Sequence, residues 1–443
     1  MRARFMKFMT ASWQQSTSNG LNLPAWISRH RKPLVLIVFT LVAYEAAINR
    51  MQQPLPWAIA ALLLSTLITG FAWPHWLIRH LSVTRTGPER AEEDEIIHFH
   101  AIISNHGWLP RFMIEAVDHL PFVGAAQGTE TAGEKVLGVV AYIGGNTTRS
   151  FDVPLLCEKR GFYRLGPVGL ASSFPLGLAE ARQQKNGGVQ TLTIYPDVFT
   201  IMKLPLSGTQ SEIHRGGFLL PKGAGAAEFS GLREYRRGDN PRHVHWPTTA
   251  RLNELMVKEF EPLASASLYI VLDLSADANV GKGKHSSFEY AVRIAASIGR
   301  YACSNGMPIQ LNGEGAHSLA IGLGSGDAHF RSILDALAVV AADGATPYAK
   351  VVQNAAMNCR HGQTVVVFLS EPEVRFADTV QAIALLRARG AHVLAIAFER
   401  ESFLAETALP AQPLPSLWAG LLDLGVACLP IRNGDDLVAV FNP

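Results

Sequence analysis

This chain has few cysteines, no large excess of one sign of charge and no internal repeat. Its four cysteines lie far apart among 443 residues and form no CxxC pair. This argues against a disulfide framework or a cysteine-rich zinc site and fits a reducing compartment. Basic side chains exceed acidic ones by two, so the whole chain has no bias towards polyanions. The length predicts two or three domains.

The sequence also lacks the short motifs of common nucleotide-binding and hydrolytic sites. GKGKHSS (281–287) does not have the GxxxxGK[ST] spacing of a P-loop. GLGSGD (322–327) predicts a turn before a helix, with Asp327 as the N-cap, and not a dinucleotide site. No nucleophile elbow or catalytic triad order is evident. His243 and His245 have no third metal ligand nearby, so we predict ordinary polar contacts for them.

Two apolar runs near the N-terminus indicate a membrane protein. Residues 33–48 and 54–78 are separated by the polar turn NRMQQ. The second run reaches the ~20 residues that cross a bilayer, whereas the first is short and contains Glu45. A cleaved signal peptide followed by a single anchor is the alternative, but the basic tail of residues 1–32 is long for a signal sequence. We therefore predict a two-helix transmembrane hairpin over 33–78.

The basic residues around this hairpin predict its orientation. Those before and after the two runs are Arg29, Arg31, Lys32, Arg79, Arg85 and Arg90. The turn between the runs contains only Arg50. Because positive charge accumulates on the cytoplasmic side, we predict a multi-pass protein of the bacterial cytoplasmic membrane whose soluble domains face the cytoplasm. Trp57, Trp73 and Trp76 occupy positions typical of interface anchors.

The remainder of the chain divides into three segments by its hydrophobic pattern. Residues 79–200 contain short runs such as EIIHFHAII and QTLTIYP, punctuated by Gly, Pro and Asn, and predict a small antiparallel β-sandwich. Residues 201–262 form an arginine-rich connecting segment. In residues 263–443 apolar strands such as SLYIVLDLS and QTVVVFLS alternate with amphipathic helices. This last pattern predicts a doubly wound, mostly parallel α/β sheet.

Oxygen-bearing side chains follow the predicted strands of the α/β domain. Asp273, Ser275 and Asp277 come after the first strand, Thr346 begins a later helix, and Glu371 follows the strand TVVVFL. In doubly wound folds ligands bind at the carboxyl ends of the strands. Oxygen ligands from separate loops suit Mg²⁺, which keeps several waters and takes few carboxylates. The alternative is that Asp273 and Ser275 only cap the following loop and helix.

On these residues the α/β segment resembles a von Willebrand factor A (VWA) domain. The metal-ion-dependent adhesion site of that family has the pattern DxSxS, then Thr, then Asp. Asp273, Ser275 and Thr346 match it, while Asp277 stands where serine is usual and Glu371 where aspartate is usual. The resemblance implies a possible Mg²⁺ site made of these five residues, in which both replacements keep an oxygen ligand.

The stretch GLREYRRGDNPRHVHWPTTARLNELMVKEFE, directly before this domain, resembles a narrower family. Together with KRGFYRLGPV, SSFPLGL and LTIYPDV it is similar to the bacterial "domain of unknown function 58". The resemblance covers nearly everything after the basic tail. It implies a membrane-tethered, VWA-like protein, often encoded beside a MoxR-type AAA+ ATPase, with no established enzymatic activity.

The arginine-rich stretch alternates in sign over a short span. We interpret it as a structural or partner clamp, because the planar arginine fork can join two segments at once. Phosphate binding is a further alternative. RRGDNPR predicts a turn, and Trp246 is predicted to be a buried anchor. The clamp residues are Arg233, Glu234, Tyr235, Arg236, Arg237, Gly238, Asp239, Pro241, Arg242, Trp246 and Arg251.

Three classes of function remain open on the sequence alone. The favoured one is a non-catalytic interaction or assembly protein with an AAA+ ATPase of the MoxR type as partner, since no nucleophile or general base constellation is evident. The alternative is a Mg²⁺-dependent hydrolase that uses Asp273, Asp277 and Glu371. A nucleic-acid binder is disfavoured by the interleaved acids and the low net charge.

Overall fold

The structure is a computed structural model of the chain. It describes residues 31–124, 134–184, 188–204, 227–235, 244–252, 254–262, 267–404, 420–421 and 423–442. Within these ranges it is a mixed α/β protein that begins with two apolar helices and contains a sheet of mostly parallel strands. This confirms the α/β class and the two helices that the hydrophobic pattern predicted.

The two apolar helices are α1 (Arg31–Asn49) and α2 (Pro54–Leu77), and they pack against each other. Both are long and apolar enough to cross a membrane. Pro54 lies in the first turn of α2, where its missing N–H has no helical partner to lose. Most apolar side chains of both helices are exposed. Such exposure is unfavourable for a helix in the core of a water-soluble protein.

Within the described residues after the helices, ten strands form three small sheets around one core. The sheets have the orders β1-β3-β6, β2-β10-β7 and β5-β4-β8-β9. Alternate residues of β3 are buried, as the period of two requires for a strand with one face on a core. The core includes Leu77, so the end of α2 belongs to it. The strands are β1 Leu81–Thr86, β2 Arg90–Glu92, β3 Ile96–Asn105, β4 Arg111–His119, β5 Glu134–Ile143, β6 Thr148–Leu156, β7 Gly161–Leu165, β8 Gly169–Ser172, β9 Ala181–Gln184 and β10 Gln190–Tyr195.

A two-stranded hairpin with a short helix lies between the strand region and the α/β sheet. Strands β11 (Ala227–Glu234) and β12 (Met256–Pro262) pair antiparallel, with an irregular register between Phe229 and Gly231. Helix α3 (Trp246–Leu252) lies between them in sequence. Trp246 is 65% exposed, so the prediction of a buried anchor is wrong. The residue begins a short helix and no described element covers its ring.

In the part of the chain that the structure describes, six strands form the α/β sheet in the order β15-β14-β13-β16-β17-β18. All neighbours are parallel except β14 and β15, which are joined by a short turn. This is the doubly wound order with an antiparallel edge strand. The strands are β13 Leu268–Val271, β14 Ile309–Glu314, β15 Ser318–Gly324, β16 Thr364–Leu369, β17 His392–Phe398 and β18 Ala427–Ile431. The helices are α4 Ser287–Ser304, α5 Asp327–Val339, α6 Tyr348–Asn358, α7 Phe376–Ala388, α8 Arg400–Leu404 and α9 Leu437–Phe441.

Both faces of this sheet are covered, which explains the continuous apolar runs of its strands. Leu268 and Ile270 of β13 face a core with α4 and α5. Tyr269 and Val271 face a second core with α6 and α7. The N-cap of α5 is Gly326, with Asp327 as the first helical residue, so the predicted cap is displaced by one position.

Charged side chains join the strand region to the α/β sheet. Arg160, which precedes β7, forms a two-pronged ion pair with Glu289 of α4 at 2.7 and 3.2 Å. Glu93 pairs with Arg293 one helical turn further along α4 at 3.0 Å. The four side chains are mostly buried. These two ion pairs lie on one face of α4, while strands β7 and β10 contact the neighbouring helix α5.

Candidate functional site

The candidate site lies at the carboxyl ends of β13 and β16, where the strand order reverses. From β13 the chain proceeds to β14 on one side, while β16 lies on the other. The loops after β13 and β16 therefore leave the sheet in different directions and open a crevice between them. Asp273 and Ser275 follow β13, and Ser370 and Glu371 follow β16. The structure thus brings the predicted residues of two separate segments to one edge of the sheet.

Asp273 is at the centre of this crevice and is only 3% exposed. Its Oδ1 accepts hydrogen bonds from the backbone N–H of Ser275, at 3.0 Å, and from the Ser275 hydroxyl. Its Oδ2 accepts a long bond from the Ser370 hydroxyl at 3.4 Å. Ser275 is fixed in turn because it forms an isolated parallel bridge with Gly344. A carboxylate and two hydroxyls are therefore held together at the switch point.

No cation contacts Asp273 within the part of the chain that the structure describes. Burial raises the pKa of its carboxyl to about 7, and the nearby charge of Glu371 adds to this effect. The guanidinium groups of Arg375 and Arg400 act on Asp273 only from a distance. A buried carboxylate without a cation in contact is unfavourable, so the crevice favours a positively charged ligand.

Glu371 is also buried, but its two oxygens are already engaged. Oε1 accepts from the backbone N–H of Tyr348 at 3.3 Å, and Oε2 accepts from the Thr379 hydroxyl. Burial raises the pKa of Glu371, and these two hydrogen bonds oppose the shift. Glu371 therefore joins the starts of α6 and α7 to the end of β16.

Asp277 and Thr346 lie at the mouth of the crevice. Asp277 is exposed and forms an ion pair with Arg375 at 2.5 Å, which lowers the pKa of its carboxyl. Thr346 is half-buried and lies two residues after Gly344, the bridge partner of Ser275. The structure thus places Asp273, Ser275 and Glu371 inside the crevice and the other two predicted ligands at its rim.

The donor set of this crevice can be compared with the needs of a metal ion. Among the described residues, no group of three or more His, Cys, Asp or Glu side chains is arranged to hold a metal. Asp273 remains as a carboxylate whose partners are one backbone N–H and two hydroxyls, since Asp277 is paired with Arg375 and Glu371 joins α6 and α7. This set fits Mg²⁺, which is held by one or two carboxylates and retains several waters. It does not fit a metal that requires nitrogen or sulfur ligands.

Sequence reasoning missed two side chains that shape the crevice. The Tyr348 hydroxyl donates to the Val271 carbonyl at 2.7 Å and accepts from the Phe368 N–H at 2.9 Å. Arg400 donates to the Ser370 carbonyl at 2.7 Å and to the backbone of the loop after β13. Both bridge segments distant in sequence, and no local pattern indicates such bridges.

The arginine-rich clamp lies only partly within the described residues. Arg236, Arg237, Gly238, Asp239, Pro241 and Arg242 are outside them, as is the predicted RRGDNPR turn. Arg233 pairs through its backbone with Val257, and the Tyr235 N–H donates to the Leu255 carbonyl at 2.8 Å. Glu234, Tyr235 and Arg251 are exposed. The described side chains of the segment therefore lie on the surface of the β11–β12 hairpin.

Sequence comparisons place this chain near proteins of unknown function. The family model "Protein of unknown function DUF58" matches residues 231–412, a little less than half of the chain, and includes the crevice. The chain is similar to "Uncharacterized protein YeaD" of Bacillus subtilis (strain 168), with 32% identity over 150 residues. This match covers 34% of the chain and 32% of the relative, so it spans about a third of the relative's length.

Comparisons with solved structures give only low overall similarity. The CARDB domain of the PF1109 protein from Pyrococcus furiosus, in complex with di-metal ions, matches 26% of this chain and 86% of its own at 12% identity and a TM-score of 0.18. A GH20 exo-β-N-acetylglucosaminidase from Vibrio harveyi matches 72% of this chain and 57% of its own at 10% identity and a TM-score of 0.18. Scores this low do not define a shared fold.

Proposed function

We propose that this chain is a membrane-anchored, non-catalytic interaction protein whose α/β domain is VWA-like and binds a partner through the strand-end crevice. Asp273 is the observation that carries the proposal: a buried carboxylate at a topological switch point with no cation in contact among the described residues. A protein retains such a group where a ligand completes it, because an uncompensated buried charge destabilises the fold.

Mg²⁺ is the proposed ligand of the crevice. Asp273, Ser275 and Thr346 would hold it, with Asp277 and Glu371 as outer partners through water. A bound Mg²⁺ supplies an open coordination position for a carboxylate from another protein.

The rim of the crevice supports a role in protein contact. Val374, in the loop between β16 and α7, is 93% exposed. Beside it the Arg375–Asp277 ion pair is itself partly exposed. We infer that Val374 and this ion pair contact a partner that is bound at the crevice. An acidic segment of a MoxR-type AAA+ ATPase is the proposed partner, from the family resemblance.

The two apolar helices are proposed to span the bacterial cytoplasmic membrane as a hairpin. Most of their apolar side chains are exposed, which supports this, because lipid is the solvent that such a surface requires. Basic residues on the outer flanks of the hairpin support a cytoplasmic position for the strand region and the α/β domain.

The clamp segment is proposed to contribute to the same partner surface. Its described aromatic side chains, Tyr235 and Trp246, are exposed, as residues that contact a partner are in the free protein. The hydrolase alternative has less support, because Asp277 accepts from Arg375 and Glu371 from Thr379. Each of these carboxylates already accepts a hydrogen bond, which makes it a weaker base towards a water.

Affinity purification from native membranes tests the proposal. Tagged full-length wild type, Asp273→Ala and Asp327→Ala are isolated in Mg²⁺ and again in EDTA. Asp327 is an exposed acid after β15, at the opposite edge of the sheet, and is the matched control. We expect wild type and Asp327→Ala to retain a stoichiometric AAA+ ATPase in Mg²⁺ and to lose it in EDTA.

The Asp273→Ala variant is expected to lose the ATPase in both buffers. Equal retention of one partner by all three proteins would place binding outside the crevice and refute its role. Phosphoester hydrolysis by wild type that disappears in Asp273→Ala would instead support the hydrolase.

A further inference from the structure

Residues 173–178, in the loop between β8 and β9, pack directly against the apolar helix α2. Leu178 lies so close to Gly70 that a Cβ on this glycine would approach the Leu178 Cδ1 to 2.5 Å. Strands β4, β8 and β9 also contact α2. The loop therefore runs alongside the helix and not beyond its end.

The position of Gly70 along α2 determines the depth of this loop. The 24 residues of α2 extend about 36 Å at ~1.5 Å per residue. The hydrocarbon core of a bilayer is ~30 Å thick, so the helix exceeds it by only about 6 Å. Gly70 precedes the last helical residue, Leu77, by about 10 Å. Even if the whole excess emerges on the side of the strand region, Gly70 lies ~4 Å inside the hydrocarbon, and the usual tilt deepens it.

The surface that surrounds the loop is apolar as well. Phe174 stacks on Phe112 with ring centroids 6.0 Å apart, and Tyr142 lies 5.5 Å from Phe112. Leu176 at the tip of the loop is 45% exposed, and Met113 is exposed to a similar degree. Phe112 and Phe174 are partly buried against the core of the strand region, whereas Leu176, Met113 and Tyr142 are exposed. Exposed apolar side chains next to an apolar helix are favoured in lipid and disfavoured in water.

The end of α2 is fixed to the strand region, so the loop cannot pivot freely away from the helix. The guanidinium of Arg111 lies 4.2 Å from the ring centroid of Trp76 and donates to the Arg79 carbonyl at 3.3 Å. The His106 N–H donates to the His80 carbonyl at 2.8 Å. Trp108, two residues on, is 80% exposed, in the type of position that interfacial tryptophans occupy.

We propose that residues 173–178, with Phe112 and Tyr142 behind them, insert into the lipid bilayer and hold the strand region against the membrane surface. The ligand of this surface is the acyl and headgroup region of the lipid. The inference rests on the proposed membrane-spanning role of α2 and deepens it. With both α2 and the loop in the bilayer, the strand region has a fixed orientation relative to the membrane.

Site-specific fluorescence in bilayers tests the proposal. Leu176→Cys, Val374→Cys and Leu62→Cys are labelled with an environment-sensitive fluorophore in full-length protein reconstituted into phosphatidylcholine vesicles. Leu62 is an exposed residue near the middle of α2, and Val374 is an exposed residue in the α/β domain. Native Cys157 and Cys303 are buried, whereas Cys359 and Cys428 are partly exposed and are replaced by serine in all three labelled proteins.

Quenching by doxyl-labelled lipid and by aqueous iodide is then measured for each label. We expect the label at 176 to emit at shorter wavelength than the label at 374, to be quenched by doxyl lipid and to be protected from iodide. The label at 374 is expected to show the opposite pattern. The label at 62 reports on the span itself and should be quenched by doxyl lipid.

The outcomes separate this inference from the proposed anchor. Quenching by doxyl lipid at 62 but not at 176, with iodide access at 176, overturns insertion and leaves the span intact. Protection of 176 from both quenchers shows that protein, either a partner or a second copy, covers the loop and also overturns insertion. Absence of lipid quenching at 62 refutes the span, and the inference falls with it.

Discussion

At the scale of single residues, Asp273 combines burial with the absence of a contacting cation among the described residues. Ser275 and Ser370 hold its oxygens by hydrogen bonds, which satisfy the acceptors but leave the charge. Removing a charged carboxylate from water has a large cost that one backbone N–H and two hydroxyl donors offset only in part. The carboxylate of Asp273 therefore lowers the stability of the ligand-free fold and favours the binding of a cation.

Removing the charge of Asp273 tests whether it destabilises the ligand-free protein and whether it binds Mg²⁺. Asp273→Asn keeps an oxygen acceptor for Ser275 and removes the charge, so we expect the free energy of unfolding in EDTA to rise by about 1–3 kcal/mol at a pH where the carboxyl is ionised. Mg²⁺ is expected to raise the Tm of wild type and not that of the variant, because only the ligand-bound native state is stabilised. Thermal unfolding in detergent, followed by tryptophan fluorescence, measures both. Equal stabilisation by Mg²⁺ would contradict a site at Asp273.

At the scale of secondary-structure elements, the crevice depends on how β13 and β16 separate. Their register ends at the pair Val271 and Val367. The Tyr348 hydroxyl then enters between the Val271 carbonyl and the Phe368 N–H and takes both hydrogen bonds. Side-chain oxygen thus replaces the next rung of the ladder, and the two strand ends diverge without unsatisfied backbone groups.

Removal of that hydroxyl is expected to weaken the sheet at this point. Tyr348→Phe leaves a buried carbonyl and a buried N–H without partners, so the free energy of unfolding falls by about 1–3 kcal/mol. Tyr301→Phe, at a half-buried tyrosine on α4, is the control and is expected to change it by less than about 0.5 kcal/mol. Denaturant unfolding measures both variants. Similar values for the two would mean that the backbone closes the gap after the hydroxyl is lost.

At the scale of the whole molecule, the strand region and the α/β domain are joined through Arg160. Besides its ion pair with Glu289, Arg160 donates to carbonyls near the end of α5, including that of Val340 at 3.0 Å. Its guanidinium also lies 5.2 Å from the centroid of the Phe288 ring. A cation at the carboxyl end of a helix is further stabilised by the helix dipole. One side chain therefore connects three elements across the boundary.

Breaking this junction is expected to destabilise the whole molecule. Arg160→Ala leaves Glu289 unpaired in a mostly buried position and should lower the free energy of unfolding by ~3–5 kcal/mol. In that background Glu289→Ala should cost little more, because the two groups act as a pair. Arg164→Ala, at an exposed arginine four residues along, is the control and should have an effect below ~0.5 kcal/mol. Additive losses for the two single changes would show that the pair contributes no coupling.

The sequence alone determined the apolar helices, the strand segments and the order of elements in the α/β half. These depend on local periodicity, and the runs around Leu268, Val366 and Leu394 are apolar because both faces of their strands are covered. The sequence also indicated Asp273 and Ser275, since oxygen side chains follow a buried strand. Conversely, a single exposed tryptophan, Trp246, carries no pattern that separates it from a buried one.

Only the tertiary structure decided which side chains come into contact. Arg160 pairs with Glu289 and Asp277 pairs with Arg375 across long separations in sequence. Leu178 likewise packs against the distant Gly70. Such pairs are set by how helices and sheets pack, and no local preference encodes them. The same packing carried the apolar loop at 173–178 to the level of Gly70 in α2, because the end of that helix belongs to the core of the strand region.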